Sequence, residues 1–214
     1  MSSANSLPRI LLATANPHKV EEIKALLEAA RIRAQVLSLL DFPHLQLPEE
    51  TGDTMEENAV AKATAAADAT GIIAVADDSG LEVEALGGAP GVHSKRFAGE
   101  SATDPVRYEK LLSLMKDVPE EKRRARFRCC IAIAVPGQEP QVVEGICQGK
   151  IAFSPAGEHG FGYDPVFLPE GLSCTMAQLP MEEKNSISHR SRALATALPV
   201  IRRVLREIAA DERG

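Results

Sequence analysis

The sequence predicts an α/β fold, and three of its segments carry that prediction. Ile10–Ala13 is a short apolar run, and the apolar positions of Val20–Ala30 that follow it have helical spacing. Ile72–Ala76 is a second apolar run that follows an Ala-rich helical segment, and Phe127–Val135 carries apolar side chains at every second position. Strands and helices that alternate along a chain are typical of this class.

A polar turn joins the first predicted strand to the first predicted helix. The strand ends at Thr14, and the helix begins near His18 or Lys19 after a turn through Asn16 and Pro17. Backbone N–H groups at a helix N-terminus attract anions, Thr14 and Asn16 can donate hydrogen bonds, and Lys19 adds a positive charge. The turn therefore fits a phosphate site, and an ordinary Asn-Pro turn with a solvent-exposed lysine is the alternative.

Acidic residues precede and open the second predicted helix. This helix begins near Thr54, which has capping-box spacing to Glu57, and it ends before Gly71. The acidic segment Glu49–Glu57 in part favours the positive end of the helix dipole, and one of its carboxylates could join a metal site. Asn58 and Lys62 are four residues apart on one helix face, where Lys62 could contact a phosphate or be solvated.

The strand at Ile72–Ala76 is expected to end at the polar segment Asp77–Gly80. A carboxylate at a strand end is well placed to hold Mg²⁺ and to orient a water molecule. Asp77 and Asp78 are adjacent and point to opposite faces, so only one of them can face a given cleft. A polar turn without catalytic function is the alternative.

The second half of the chain predicts a long loop, two helices and further strands. Ala85–Gly99 is rich in Gly and Pro and is expected to be a functional loop, and a helix follows around Pro105–Met115. Gln141–Phe153 predicts one or two strands, and the last helix begins near Ser188. Its apolar face is formed by Leu194, Leu198, Ile201, Leu205 and Ile208.

Composition and charge restrict the class of protein. The 214 residues are within reach of one domain, 1–214, in which residues 1–8 are expected to form a flexible N-terminus. The net charge of -6 lacks the basic excess of a nucleic-acid binder, and Lys122–Arg124 is interpreted as a solvated loop. Because no apolar signal or membrane-spanning stretch is found, we expect a cytoplasmic protein with reduced thiols, and neither nucleic acid nor a membrane as its partner.

Two segments late in the chain indicate a nucleotide site. In Gly160–Pro165, glycines allow the backbone to approach a flat ligand, aromatic rings offer a stacking face, and Asp164 accepts hydrogen bonds. Glu183–Arg190 supplies Lys, His and Arg side chains that can contact phosphates. A surface cap at Ser188 is the alternative for the end of this segment.

Six motifs in one order resemble the inosine triphosphate pyrophosphatases over nearly the whole chain. They are ATxNxxK at Ala13–Lys19, ETGxTxxENA at Glu50–Ala59, ADDSGL at Ala76–Leu81, GGAPGV at Gly87–Val92, GFGYDP at Gly160–Pro165 and EKNxISHR at Glu183–Arg190. Each motif alone is weak, and their common order is specific.

The resemblance implies both a fold and an activity. The fold is a mixed, twisted α/β sheet flanked by helices, in two lobes with the active-site groove between them, and the protein is expected to be a homodimer. The activity is Mg²⁺-dependent hydrolysis of ITP, dITP and XTP to the nucleoside monophosphate and pyrophosphate.

The resemblance also implies roles for individual residues. Asp78 matches the catalytic base and, together with Glu50, the Mg²⁺ ligands. Ser79 matches a substrate contact, and the residues that match triphosphate contacts are Thr14, Asn16, Lys19 and Lys62. The residues that match the base pocket and its surroundings are Phe161, Gly162, Tyr163, Asp164, Lys184, His189 and Arg190.

Four positions depart from the family pattern, and three other functions stay open. The departures are Met55, His93, Ala156 and Gln178, of which the last two bear on the strength of substrate binding. A pyrophosphatase for modified pyrimidine nucleotides, dTTP or UTP is disfavoured by the GFGYDP and SHR motifs. A nucleotide sensor without catalysis is disfavoured by the intact carboxylates, and a nucleic-acid-binding module by the net charge.

Overall fold

The computed structural model describes residues 7–211, which contain six β-strands and five α-helices. The strands are β1 (Arg9–Leu12), β2 (Gln35–Ser38), β3 (Ile73–Val83), β4 (Arg124–Ala134), β5 (Gln141–Ile151) and β6 (Phe167–Pro169). The helices are α1 (Pro17–Ala29), α2 (Met55–Thr70), α3 (Asp104–Leu114), α4 (Met181–Ile187) and α5 (His189–Asp211). No helix within residues 7–211 combines the length and the apolar composition needed to cross a bilayer.

The prediction of a flexible N-terminus falls mostly on residues 1–6, which lie outside the described residues. Pro8 is described, and its carbonyl accepts a hydrogen bond of 2.8 Å from the backbone N–H of Gln35 at the start of β2. This bond ties the residue before β1 to the neighbouring strand.

The six strands form one mixed sheet in the order β2-β1-β3-β4-β5-β6. β1 pairs in parallel with β2 and with β3, and β6 pairs antiparallel with β5. Parallel strands need a crossover connection. Helix α1 connects β1 to its neighbour β2, and α2 connects β2 to β3, which lies on the other side of β1. The predicted mixed α/β class is confirmed, although the sequence does not predict β2 and β6, which have only four and three residues.

The chain divides into two compact units. The first unit comprises the chain up to Asp78, Cys130–Glu144 and the chain from Ala193, and the second comprises Ser79–Cys129 and Gly145–Arg192. The single domain and the two-lobed arrangement with a groove stay predictions.

In the first unit, the predicted helices are confirmed. Asn16 is the N-cap of α1, and Thr54 and Glu57 form the capping box of α2, which ends at Gly71 in the left-handed conformation. The apolar faces are buried as expected, with Val20, Ile23 and Leu27 on α1 and Leu194, Ile201 and Leu205 on α5.

The second unit has its own core, and the charged side chain of Arg123 is buried within this unit. Phe127 of β4 packs against Phe167 of β6 with ring centroids 4.5 Å apart. Arg123 is only 1% exposed, and its guanidinium donates four hydrogen bonds of 2.7–3.1 Å to backbone carbonyls. The acceptors are Met115, Val118, Ile151 and Ala152.

The interpretation of Lys122–Arg124 as a solvated loop is therefore wrong for Arg123. Lys122 and Arg124 are exposed, as expected. A local charge run gives no sign of the carbonyl groups that surround its middle residue. Two of them lie five and eight residues earlier in the chain, and the other two lie 28 and 29 residues later.

The predicted end of the third strand is also wrong. β3 continues through Asp77, Asp78, Ser79 and Gly80 to Val83, and both aspartates are buried. The strand can carry two acids because lysine and asparagine side chains from α1 and α2 contact them. The predicted loop after it contains two short 3-10 helices, Glu84–Leu86 and Gly91–Arg96.

Candidate active site

The first unit holds a group of polar side chains around β3, which we call the acid–lysine cluster. Its members are Lys19, Glu50, Asn58, Lys62, Asp77 and Asp78. Lys19 comes from α1, Asn58 and Lys62 come from α2, and Glu50 lies in the segment that precedes α2. Helix α2 brings Asn58 and Lys62 to the same side because they are one turn apart.

Asp77 positions two lysines. Its buried carboxylate lies 3.0 Å from Nζ of Lys19, and its backbone carbonyl accepts a hydrogen bond of 2.7 Å from Nζ of Lys62. Because neighbouring strand residues point to opposite faces, Asp77 takes this position while Asp78 faces the other residues of the cluster.

Lys62 is shared by several carboxylates. Its Nζ atom donates to Oε1 of Glu50 at 2.7 Å and lies 3.9 Å from Oδ1 of Asp78. Burial alone would lower the pKa of Lys62, but the attraction of Asp77, Asp78 and Glu50 is larger in sum and raises it. Lys62 therefore stays an ammonium group throughout the neutral range.

Asp78 is a buried carboxylate with an oriented side chain. Nδ2 of Asn58 donates a hydrogen bond of 3.0 Å to Oδ2 of Asp78, and Oδ1 of Asn58 accepts one of 2.8 Å from the backbone of Gly52. Burial raises the pKa of Asp78 and the nearby charge of Glu50 adds to this, while Lys62, Asn58 and Lys19 only partly oppose it. Such a carboxylate has a stronger affinity for a proton or a metal ion than an exposed one.

The turn between β1 and α1 caps the helix, but its lysine is not solvent-exposed as the alternative interpretation predicted, because the side chain of Lys19 is 17% exposed and lies 3.0 Å from Asp77. Oδ1 of Asn16 accepts hydrogen bonds from the backbone N–H groups of His18 and Lys19 at 3.0 and 3.4 Å, as an N-cap does. Oγ1 of Thr14 accepts one of 3.2 Å from the backbone of Asn16. The turn is a capped helix start, and it places Lys19 in the first turn of α1 and next to Asp77.

The second unit holds a different group, which we call the aromatic cluster: Phe161, Asp164, Lys184 and Arg190. Nζ of Lys184 lies 2.6 Å from Oδ2 of Asp164, and both side chains are only 4% exposed. Nζ of Lys184 lies 4.8 Å from the centre of the Phe161 ring, and Cζ of Arg190 lies 5.5 Å from it. Two cations therefore adjoin one half-exposed aromatic ring.

The other predicted residues of the second unit lie close to this cluster in sequence. Tyr163 is buried, and its hydroxyl donates a hydrogen bond of 2.9 Å to the carbonyl of Ser94. His189 is buried and stacks on Phe127 with ring centroids 4.7 Å apart. Ser188 caps α5 through a bond of 3.1 Å from the backbone of Ser191, but the predicted alternative of a surface cap is wrong because His189 and Arg190 are buried.

Two departures from the family pattern adjoin one cavity. Ala156 and Gln178 both line a cavity of about 300 Å³ in the second unit. Oε1 of Gln178 accepts a hydrogen bond of 2.9 Å from the backbone of Thr175, whose hydroxyl donates one of 2.7 Å to the carbonyl of Ala156. Both residues thus take part in local hydrogen bonding.

The sequence gives no role to Asp77, Asn58 or Asp104. In the structure Asp77 and Asn58 belong to the acid–lysine cluster, and Asp104 contacts the segment that carries Phe161. The position of Asn58 one turn before Lys62 was the available signal for its place beside Asp78. No local pattern links Asp104 to the segment at Gly162, whose backbone N–H donates to it at 2.6 Å.

The sequence model of the Ham1 family matches residues 10–200. The chain belongs to the Ham1 family. It is 50% identical over 196 residues to a protein named dITP/XTP pyrophosphatase from Desulforamulus reducens, covering 92% of this chain and 96% of that protein. It is 49% identical over 184 residues to the dITP/XTP pyrophosphatase of Bacillus subtilis, covering 86% and 92%. The predicted resemblance is confirmed.

Solved Ham1 structures share the fold. The HAM1 protein from Coxiella burnetii superposes with a TM-score of 0.83 at 40% sequence identity. The match covers 92% of this chain and 100% of the Coxiella chain. The Ham1 protein from Staphylococcus aureus gives 0.79 at 40% identity, with coverage of 91% and 98%.

Proposed function

We propose that this Ham1 protein is a Mg²⁺-dependent nucleoside-triphosphate pyrophosphatase that hydrolyses ITP, dITP and XTP to the monophosphate and pyrophosphate. The acid–lysine cluster carries the proposal, because it combines a buried carboxylate of raised pKa, Asp78, with two lysines. The likeness to proteins named dITP/XTP pyrophosphatase supports the choice of substrate.

The acid–lysine cluster fits a Mg²⁺ ion. Glu50 and Asp78 approach the same ammonium group of Lys62, at 2.7 and 3.9 Å, so their oxygens converge. Magnesium takes one or two protein carboxylates and completes its shell with water and phosphate oxygens, so two carboxylates would suffice. Glu50 and Asp78 would hold the ion, which supplies positive charge for the phosphates when bound.

Asp78 is the proposed general base. Attack between the α and β phosphates needs a water molecule that loses its proton, and the raised pKa of Asp78 suits that transfer. Lys19 and Lys62 are proposed to bind the phosphates and to stabilise the charge that develops on them. Thr14, Asn16 and Ser79 are proposed as further contacts to this part of the substrate.

Phe161 is proposed to stack on the purine base, with Gly162, Tyr163, Asp164, Lys184, His189 and Arg190 around the base and the phosphates. Hypoxanthine and xanthine carry a 6-keto oxygen where adenine has an amino group. Donors directed at that oxygen would stay unpaired with ATP, and such a mismatch gives discrimination of about 10⁴ or more.

A homodimer in the cytoplasm belongs to the same proposal. The resemblance supports the dimer, and no disulfide bond joins the four cysteines within residues 7–211, as is usual in a reducing compartment. Light scattering after size-exclusion chromatography measures the oligomeric state.

Release of pyrophosphate from ITP, XTP, GTP, ATP, dTTP and UTP, with and without Mg²⁺, tests the proposed function. Mg²⁺-dependent release from ITP and XTP, with ATP and GTP far slower, is the expected result. A preference for dTTP or UTP would replace it with a pyrimidine nucleotide pyrophosphatase. Binding of ITP without turnover of any nucleotide would indicate a sensor instead.

A further inference from the structure

Carboxylates hold the backbone on both sides of Phe161. The N–H of Phe161 donates to Oδ2 of Asp164 at 3.0 Å, within the same turn. The N–H of Gly162 donates to Oδ2 of Asp104 at 2.6 Å, and Asp104 is 58 residues earlier in the chain. The two bonds restrain the backbone before and after the Cα atom that carries the aromatic ring.

Asp104 is itself held in place. It lies in the first turn of α3, where Nη1 of Arg107 donates to its other oxygen, Oδ1, at 2.6 Å. Nη2 of Arg107 donates to the carbonyl of Ala102 at 2.6 Å, which fixes the guanidinium. An acid in a first helical turn is stabilising without any further partner. The bond to Gly162 therefore goes beyond what the helix requires.

The segment that carries Phe161 has little conformational preference of its own. Gly160 and Gly162 have φ angles of +73° and +66°, and glycine loses more backbone freedom on ordering than other residues. A Cβ atom at Gly162 would meet nothing within 4 Å, so glycine is needed there for its backbone and not for space. Contacts from outside the segment must therefore select the observed conformation.

We propose that Asp104 is a positioning residue that fixes Phe161 in the orientation required to bind the purine base; this inference rests on the proposed function. Loss of Asp104 lowers the fraction of molecules in which Phe161 is ready to stack. The apparent affinity falls in proportion to that fraction. A molecule that has bound substrate still reacts at the normal rate. Asp104 does not touch the substrate in this scheme.

The test compares three variants of the full chain. Asp104→Ala removes both hydrogen bonds, and Asp104→Asn keeps an acceptor for Gly162 but weakens the pairing with Arg107. Glu109→Ala removes one negative charge from the exposed side of the same helix and is the matched control. For ITP we expect KM to rise about tenfold or more in Asp104→Ala, because a charge-assisted hydrogen bond is worth at least a factor of about ten. The rise in KM should be smaller in Asp104→Asn. In both variants kcat should stay within about twofold of the wild-type value. Glu109→Ala should match the wild type.

Two further measurements do not depend on turnover. The dissociation constant for IMP, which has the same base, should rise in the order of the KM values, and hydrogen exchange at Phe161 and Gly162 in the free protein should become faster in Asp104→Ala. Thermal unfolding identifies any variant that fails to fold, and Asp104→Asn then decides the question.

Unchanged KM and IMP affinity in a folded Asp104→Ala protein would overturn the inference. A lower kcat with unchanged KM would also overturn it, because positioning of the base then would not limit binding. A wild-type enzyme that does not hydrolyse ITP would instead contradict the proposed function, and if it also fails to bind IMP the positioning role falls with it.

Discussion

Each unit of this Ham1 protein contains a carboxylate–lysine pair, but the two pairs have different surroundings. In the aromatic cluster, Lys184 and Asp164 contact each other at 2.6 Å, and both side chains are 4% exposed. In the acid–lysine cluster, Lys62 contacts Glu50 at 2.7 Å and Asp78 at 3.9 Å, and its side chain is 9% exposed while that of Glu50 is 26% exposed.

This difference suits the two clusters to different roles, chemistry for the acid–lysine cluster and positioning for the aromatic cluster. The acid–lysine cluster has three carboxylates, Glu50, Asp77 and Asp78, for two lysines, and burial raises the pKa of Asp78. A further cation or a proton would relieve this imbalance, which supports the proposal that the cluster binds a metal and accepts a proton. In the aromatic cluster the close pair of Lys184 and Asp164 holds the segment of Phe161 in place.

Substitution of Asp78 should have the largest effect on activity. Asp78→Asn keeps the shape of the side chain but removes its ability to accept a proton, so we expect kcat to fall at least ~100-fold, the low end for a general base. Pyrophosphate release from ITP measures it. Asp68→Asn, at an exposed position on α2, is the control and should retain full activity. Near-normal turnover by Asp78→Asn would make its role as base wrong.

Substitution of Lys184 should have the largest effect on stability. Lys184→Met leaves the carboxylate of Asp164 buried without its lysine, and removal of one partner of a buried pair costs about 3–5 kcal/mol of unfolding free energy. Urea unfolding measures the loss. Lys116→Met, at a lysine whose side chain is 74% exposed, serves as the control and should change little. A loss no larger than that of the control would contradict the structural role of the pair.

Substitution of Lys62 should affect activity more than stability. Lys62→Met removes a charge proposed to stabilise the phosphates, and we expect kcat to fall ~100-fold, as for loss of one group that stabilises developing charge. Because Glu50 is partly exposed, its carboxylate can be solvated, and the unfolding free energy should fall less than in Lys184→Met. Equal losses of stability in the two variants would remove the distinction between the clusters.

Periodicity and caps predict much of the fold, but not the contacts that depend on distant segments. Helix α2 is predicted from its capping box to its final Gly71, and the apolar face of α5 is also confirmed. The continuation of β3 through Asp77 and Asp78 is missed, because the side chains that contact these acids come from α1 and α2. The same limitation explains the buried Arg123, whose acceptors lie up to 29 residues away.

The candidate site shows the same division. The motifs identify Lys19, Lys62, Asp78, Phe161 and Lys184 as candidates, and the structure brings the first three into one cluster and the last two into another. The hydrogen bonds of Asn58 to Asp78 and of Gly162 to Asp104 are visible only in three dimensions. A sequence motif thus predicts the residue types near a site, whereas the hydrogen bonds that orient them require the fold.

The pH dependence of stability tests whether the charge of Asp78, in the first unit, is less well compensated than the pair of Lys184 and Asp164. Burial raises the pKa of Asp78 in the folded state, so the folded protein holds that proton more tightly than the unfolded chain. The charge on Asp78 then disfavours folding at neutral pH, and this penalty fades as the pH falls toward the ordinary carboxylate range, about pH 4. Without Mg²⁺, Asp78→Asn should therefore melt above the wild type at neutral pH, by an amount that shrinks on acidification and that Asp68→Asn does not reproduce. A lower melting temperature for Asp78→Asn at neutral pH would mean that Lys62, Asn58 and Lys19 outweigh burial, and the acid–lysine cluster would then be as well compensated as the pair of Lys184 and Asp164.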